Sequence, residues 1–342
     1  MDDTELERLR DKYARSAPGE VFDPRFQRMA NSQIEEGGRR NAPYAGMPTL
    51  LGAPYRDSAE GVDIALIGVP MDLGVTNRTG ARFGPRALRS IERVGPYHHV
   101  FHRTPMLDAV VADLGDVEFR SRFSLDMAME DIEAHFARVV ASGARTLAAG
   151  GDHSITLPIM RALGRERPLG MVHIDAHCDT SGEFDHSKFH HGAPFRQAVL
   201  DGVLDPKRCV QIGIRGSAEF LWEFSYDAGM TVLHIEDVVR MGIPAVVETA
   251  RAVVGDGPVY VTFDVDGLDP AFAPGTGTPE VGGLTPREAQ EILRGLDGLD
   301  IVGGDVVEVA PQYDATTNTA QVGAQIMFEI LTIMTGRKPS VG

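Results

Sequence analysis

"VHIDAHCDTSGEF", residues 172–184, carries the reading of the fold. Its first residues close an apolar run that begins at Leu169, and Asp175, His177 and Asp179 follow at alternate positions. In an extended strand successive side chains face opposite ways, so alternate ones share a direction. Three acidic and imidazole groups on one side of a core strand need a common object to face. The run itself is almost continuously apolar, as a strand buried on both faces of a parallel sheet requires. In such sheets ligands bind beyond the carboxyl ends of the strands, which is where the trio falls.

Seven more runs of this kind surround it: "VDIALIGVP" (62–70), "DAVVADLGDV" (108–117), "ARTLAAGG" (144–151), "RCVQIGIRG" (208–216), "GMTVLHIEDV" (229–238), "VYVTFDVDGLDP" (259–270) and "IVGGDVVEVAP" (301–311). Helical patterns fall between many of them. "DMAMEDIEAHFARVVASG" repeats apolar residues at three- and four-residue steps and stops at Gly143. "TPREAQEILRGL" opens with Thr285, Pro286 and Glu288, a capping box. Alternating strand and helix predicts a doubly wound α/β sheet. Residues 1–60 are polar, rich in Gly and Pro, and read as an N-terminal arm or cover with one short helix; residues 61–342 read as a single α/β domain without internal repeats.

Composition narrows the classes. The 342 residues carry 33 basic and 49 acidic side chains, a formal net charge of -16, and no basic stripe, so nucleic acid is not an expected partner. The opening "MDDTELERLR" has no apolar segment of a secretory signal, and no run is long enough to span a bilayer. Two cysteines, Cys178 and Cys209, make no disulfide framework. A cytoplasmic protein without a membrane partner is expected.

Four of the runs end in reactive groups: Asp152 and His153; the trio; Asp264 and Asp266; and Glu308. Carboxylates gathered at one sheet edge would repel and take up protons unless cations neutralise them. Two divalent ions match four aspartates, and a mixed Asp/His set without thiolate suits manganese, with nickel, cobalt or zinc as alternatives. Two ions roughly 3.5–4 Å apart can share a water and bring its pKa toward neutrality. Taken singly, each string has a plainer explanation. Asp152 and Ser154 could cap the helix that follows, and Asp269 before Pro270 could make a turn. Three such strings, each at a strand terminus, are better explained by a binuclear metal site.

"GGDHS", "HIDAHCD", "HHGAPFR", "FDVDGLDPAFAPGTGTPEVGGLT" and "DVVEVAPQYD" resemble the signature segments of the ureohydrolases, the arginase and agmatinase superfamily, from about Tyr44 to the C-terminus. The resemblance implies an arginase-like three-layer α/β/α sandwich with a parallel sheet of about eight strands. It also implies a binuclear manganese centre that hydrolyses a guanidino C–N bond by a metal-bridging hydroxide, releasing urea and an amine. His153, Asp175, Asp179 and Asp264 would hold one ion, and His177 and Asp266 would complete the other, with Asp175 and Asp264 shared. His191 matches the family's proton-transfer histidine and Glu308 its guanidinium-binding glutamate. A homo-oligomer, trimeric or hexameric, is also implied.

Ser181 stands where arginases carry a substrate-binding asparagine, which argues against arginine. "PYAGMPTLLGAPY" and "HHGAPFRQAV" resemble the agmatinase branch, so agmatine, cleaved to putrescine and urea, is the first expected substrate. Glu183 and Asp185 could meet its second cationic end. Guanidinobutyrate, guanidinopropionate, guanidine or a dimethylbiguanide such as metformin are alternatives, as is a formiminoglutamate-type hydrolase. Cys178 and His173 read as core residues, with His173 able to support a ligand from behind. His98, His99 and His102 read as a surface loop, and Asp314 as the N-cap of the last helix. The aromatic "FLWEFSY" (220–226) could wall a pocket or pack at an oligomer interface.

Overall fold

The computed structural model describes residues 2–16, 20–32, 44–92, 94–216 and 218–336. All eight apolar runs are strands: β1 (Ile64–Val69), β2 (Val111–Asp116), β3 (Arg145–Gly150), β4 (Leu169–Ile174), β5 (Leu204–Ile214), β6 (Thr231–His234), β7 (Val259–Asp264) and β8 (Ile301–Val307). They form one eight-stranded sheet in the order β2-β1-β3-β8-β7-β4-β5-β6, every pair parallel.

Both faces of the sheet are covered. Ile64 and Leu66 of β1 join a core with Val246, Ile292 and Ile330 from the helices Ile243–Val254, Pro286–Gly295 and Asn318–Thr335. Ala65, Ile67 and Val69 point the other way, into a core with Ile132, Ile159 and Phe195 from Leu125–Ala141, Thr156–Leu163 and Pro194–Leu200. Successive strand residues thus feed opposite layers, which is why the sequence shows continuous apolar runs. The three-layer α/β/α sandwich is the expected one.

The local helix signals hold. Thr285 Oγ1 accepts from Glu288 N at 3.3 Å while Glu288 Oε2 accepts from Thr285 N at 2.8 Å, closing the capping box. Gly143 follows the Leu125–Ala141 helix with φ 89°. Asp314 differs from expectation: Thr317 occupies the N-cap position, and Asp314 reaches over it to accept from Thr319 N at 2.6 Å. His98 also departs from its reading. It is 3% exposed, and its Nε2 bonds Glu329 Oε2 at 2.8 Å.

Among the described residues of 1–60 there are two α-helices, Asp3–Tyr13 and Pro24–Ser32, where one was expected, and a 3-10 turn at Leu50–Gly52; residues 1, 17–19 and 33–43 lie outside the described residues. Leu50 and Ala53 are buried in the core, and Leu50 N donates to Asp113 Oδ2 at 2.8 Å. We propose to keep the division at about residue 60, with this tether joining the segment to the α/β domain. Among the described residues no helix is long and apolar enough to cross a membrane.

Candidate metal centre

β3, β8, β7 and β4 are neighbours at the middle of the sheet, so their carboxyl ends bring His153, Glu308, Asp264 and Asp175 to one place. Two glycines permit the approach. A Cβ on Gly151 would stand 2.0 Å from Met71 O, so only glycine lets the end of β1 lie this close to the turn that leads into His153. A Cβ on Gly267 would press on Asp175 N at 3.0 Å, which explains the glycine of "DVDG".

The six expected ligands converge. His153 Nδ1 has Asp179 Oδ2 at 2.9 Å, Asp175 Oδ2 at 3.1 Å and Asp264 Oδ2 at 3.4 Å. His177 Nδ1 has Asp266 Oδ2 at 3.2 Å and Asp175 Oδ1 at 3.4 Å. Asp175 therefore turns one oxygen toward each histidine. Two groups of metal-capable side chains share it: His153, His173, Asp175 and Asp179, and Asp175, His177 and Asp266.

The donor set can be tested by tracing its protons. Thr262 Oγ1 donates to Asp305 Oδ1 at 2.6 Å, so its single proton is engaged. Thr262 can then only accept from His153 Nε2 at 2.8 Å, which fixes a ring proton on Nε2 and leaves Nδ1 as the atom that takes up a proton or a metal ion. That Nδ1 is buried without a hydrogen-bond partner, among three carboxylates. A bare nitrogen ringed by acids fits a cation. Tyr260 Oη and Thr156 Oγ1 also donate to Asp305, at 2.8 and 2.6 Å, fixing the far end of the chain.

Electrostatics agree. Burial and the charges of Asp266 and Asp175 push the Asp264 carboxyl well above the usual range. Asp266 is pushed up to about 6 by burial and then by Asp175. Burial opposes charge on His153, yet the surrounding aspartates raise its pKa well above that of a free imidazole. Acids that hold protons beside histidines that want them mark a cluster short of positive charge.

His173 supports the cluster from behind. Gln211 Nε2 donates to its Nδ1 at 3.1 Å, so its Nε2 donates to Asp175 Oδ2 at 2.7 Å. Asp152 caps: it accepts from Ser154 N at 2.9 Å and from Gly74 N at 2.8 Å. Cys178 is buried, and burial pushes its thiol up to about 12.

Glu308 adopts φ 63°, and Asp179 φ 51°, the left-handed region that non-glycine residues avoid unless their surroundings impose it. Glu308 Oε1 accepts from His153 N and from His191 Nδ1, both at 2.9 Å, while its Oε2 is buried without a partner. On the other side of the ring, His191 Nε2 lies 2.7 Å from Thr76 Oγ1. That hydroxyl can accept from a charged ring, while Thr76 N, 3.2 Å from Nε2, donates to the neutral one.

A cavity of about 430 Å3 opens onto His177, Asp179, Asp264 and His191. Ser181, Glu183, Phe220 and Trp222 also line it, so the aromatic segment walls this pocket. Glu308 is not among the lining residues, and Asp185 stands outside the lining as well. Ser181 donates its hydroxyl to Gly192 O.

Sequence reasoning missed three contributors. Thr76 lies 115 residues from His191, and Thr278, twelve residues after Asp266, donates to Asp266 Oδ2 at 3.2 Å. Arg215 is buried and donates to Asp266 O at 2.6 Å, Glu280 O at 2.7 Å and Gly267 O at 3.2 Å, clamping the loop after β7. The arginine after β5 was visible in "IGIRG", but nothing local marks it as a clamp.

A model of the arginase family matches residues 62–332. The chain belongs to the arginase family. It is 50% identical to a guanidinopropionase of Pseudomonas aeruginosa over 85% of this chain and 92% of that one. It is 46% identical to a mitochondrial agmatinase of Gallus gallus, covering 86% of this chain and 87% of that one. The proclavaminate amidino hydrolase structure of Streptomyces clavuligerus superposes with a TM-score of 0.83 at 35% identity, over 86% of this chain and 99% of that one. The chain is thus an amidinohydrolase of a binuclear-metal-dependent family, and its His/Asp cluster fits such a centre.

Proposed function

We propose that this enzyme hydrolyses agmatine to putrescine and urea at two Mn2+ ions, one held by His153, Asp175, Asp179 and Asp264, the other by His177, Asp266 and the shared Asp175 and Asp264. The bare Nδ1 of His153 and the two-sided Asp175 support this set. Oxygen-rich coordination with two imidazoles and no thiolate favours Mn2+, with Ni2+ as the alternative. When bound, such a pair supplies Lewis-acid activation of water near neutral pH.

The chain's own residues supply the rest. Glu308 Oε2, a buried carboxylate oxygen without a donor, is the acceptor for the guanidinium N–H groups. His191 gives the departing amine its proton from Nε2, and Glu308 Oε1 orients the ring through Nδ1. Ser181, whose hydroxyl proton is engaged, offers the substrate only lone pairs.

One observation carries the substrate: Glu183 lines the cavity, and among the described residues no lysine or arginine does. A cationic tail suits that wall; a carboxylate tail does not. A second reading, a guanidino acid, rests on Arg196. Its Nη1 lies 2.9 Å from where a Cβ on the cavity-lining Gly182 would stand, and its guanidinium rests over Phe224 at 4.9 Å. The guanidinopropionase relative points the same way. Urea release from agmatine, 3-guanidinopropionate, 4-guanidinobutyrate and guanidine decides between them. Agmatine is expected to lead both acids by at least about tenfold in kcat/KM; an acid in the lead replaces the reading.

Thr262→Val keeps the shape of the side chain and removes the acceptor that sets the His153 tautomer. It is expected to weaken metal retention about 10- to 100-fold, read by titrating the loaded protein with a chelator. Unaltered retention would remove the wiring argument. The reading also includes a cytoplasmic homo-oligomer, trimer or hexamer. Buried free thiols at Cys178 and Cys209 suit a reducing compartment, and exposed Phe123 and Val239 suit a subunit contact. Light scattering of the purified protein tests the stoichiometry.

A further inference from the structure

We infer that His190 reads the far end of the substrate, its Nδ1 accepting a hydrogen bond from an N–H donor on the tail, an ammonium or a second guanidino group. The inference rests on the function proposed above and adds a specificity-determining residue that the metal chemistry does not need.

His190 is 7% exposed and lines the cavity. Its Nε2 lies 2.7 Å from Gly182 O, and a carbonyl can only accept, so Nε2 carries the proton. Nδ1 is left with a lone pair, buried, and has no partner. Buried polar atoms are normally paired, so an orphaned one beside a cavity calls for a ligand group.

A Cβ on Gly192 would stand 3.4 Å from His190 Nδ1 and 3.1 Å from Ser181 Oγ, so a larger residue there would crowd both atoms. Gly192, Ser181 and His190 all line the cavity. Ser181 has spent its proton on Gly192 O. His190 Nδ1 and Ser181 Oγ are thus acceptors on this wall, with Glu183 as a further acidic lining residue. An N–H group finds partners there.

The variant that separates this role from a merely structural one is His190→Gln. Glutamine can keep the donor to Gly182 O in the place of Nε2 while removing the acceptor at Nδ1. In the metal-loaded enzyme, kcat/KM is compared for agmatine and n-pentylguanidine, which carries a methyl where agmatine carries its ammonium. The agmatine value is expected to fall about tenfold more than that of n-pentylguanidine, chiefly through KM. Equal falls for the two would assign His190 to loop structure and overturn the inference.

Calorimetric binding of putrescine and n-pentylamine reads the same contact without turnover. His190→Gln is expected to weaken putrescine at least about tenfold more than n-pentylamine. If the wild-type enzyme releases urea from no guanidine, the proposed function fails, and the binding pair still decides the role of His190. A wild-type preference for 4-guanidinobutyrate that His190→Gln abolishes would mean that His190 donates to a carboxylate, which also overturns the inference.

Discussion

Asp264→Asn is expected to cut urea release by about a thousandfold, since the few kcal/mol that a metal centre contributes translate at about 1.4 kcal/mol per decade. The same substitution is expected to make the metal-free protein more stable. Asp264 is buried beside Asp266 and Asp175, and without cations burial and those two charges outweigh the contact with His153. Asparagine keeps the shape and removes the conflict, so the chelated variant should melt roughly 2 °C or more above the chelated wild type. With metal present the order reverses, because the wild type binds the pair more tightly and binding to the folded state stabilises it. Melting curves with and without chelator, alongside metal content by elemental analysis, give all four values. A chelated variant that melts below the chelated wild type would refute the picture of an acid cluster held together by cations.

A pH dependence follows from the same repulsion. Asp266 is pushed from 3.8 up to about 6, by burial first and then by Asp175. Between those values the folded chain holds a proton that the unfolded chain has released. The unfolded state binds fewer protons there, so metal-free stability falls as pH rises across that window. Metal loading removes the trend, because the carboxylates are then paired with cations at every pH in the range.

Much of this centre was legible in the chain because its signals are local. The central strands are covered on both faces, so they appear as apolar runs, and four runs end where a reactive group begins. The capping box at Thr285 needs only four residues to be seen. What stayed hidden depends on contacts between distant segments. His98 looked like part of a polar loop because its partner, Glu329, lies 231 residues away. Thr262 reads as an ordinary strand residue until Asp305 of the neighbouring strand takes its proton and turns it into an acceptor. Asp314 was recognisable as a capping residue, but the left-handed φ of 72° at Thr317 moved the helix start beyond it. Strand order has no local signature at all, and it is the order that sets β3, β8, β7 and β4 side by side.

His191→Asn is expected to lower kcat on agmatine by about 100- to 10,000-fold, the usual range for a lost general acid, with a smaller change in KM. Donating a proton requires a charged ring at working pH. Burial opposes that charge, but the Glu308 carboxylate, bonded at 2.9 Å, outweighs it and raises the His191 pKa from 6.5 to about 9. The alkaline limb of wild-type kcat should therefore fall near pH 9, and the variant should lack it. Stability carries the same signature with a definite sign. A raised folded-state pKa stabilises fully below 6.5 and loses its contribution as pH passes about 9. Wild-type melting should thus decline between those values more steeply than that of His191→Asn. Glu308→Gln separates the two duties proposed for the glutamate. Losing its charge should draw the alkaline limb down from about 9, because burial is then opposed only by the charges of Asp179 and Asp152, and should raise KM for every guanidine tested. An alkaline limb that stays near 9 in Glu308→Gln would mean that another group holds the proton, and the pairing of His191 with Glu308 would then be structural.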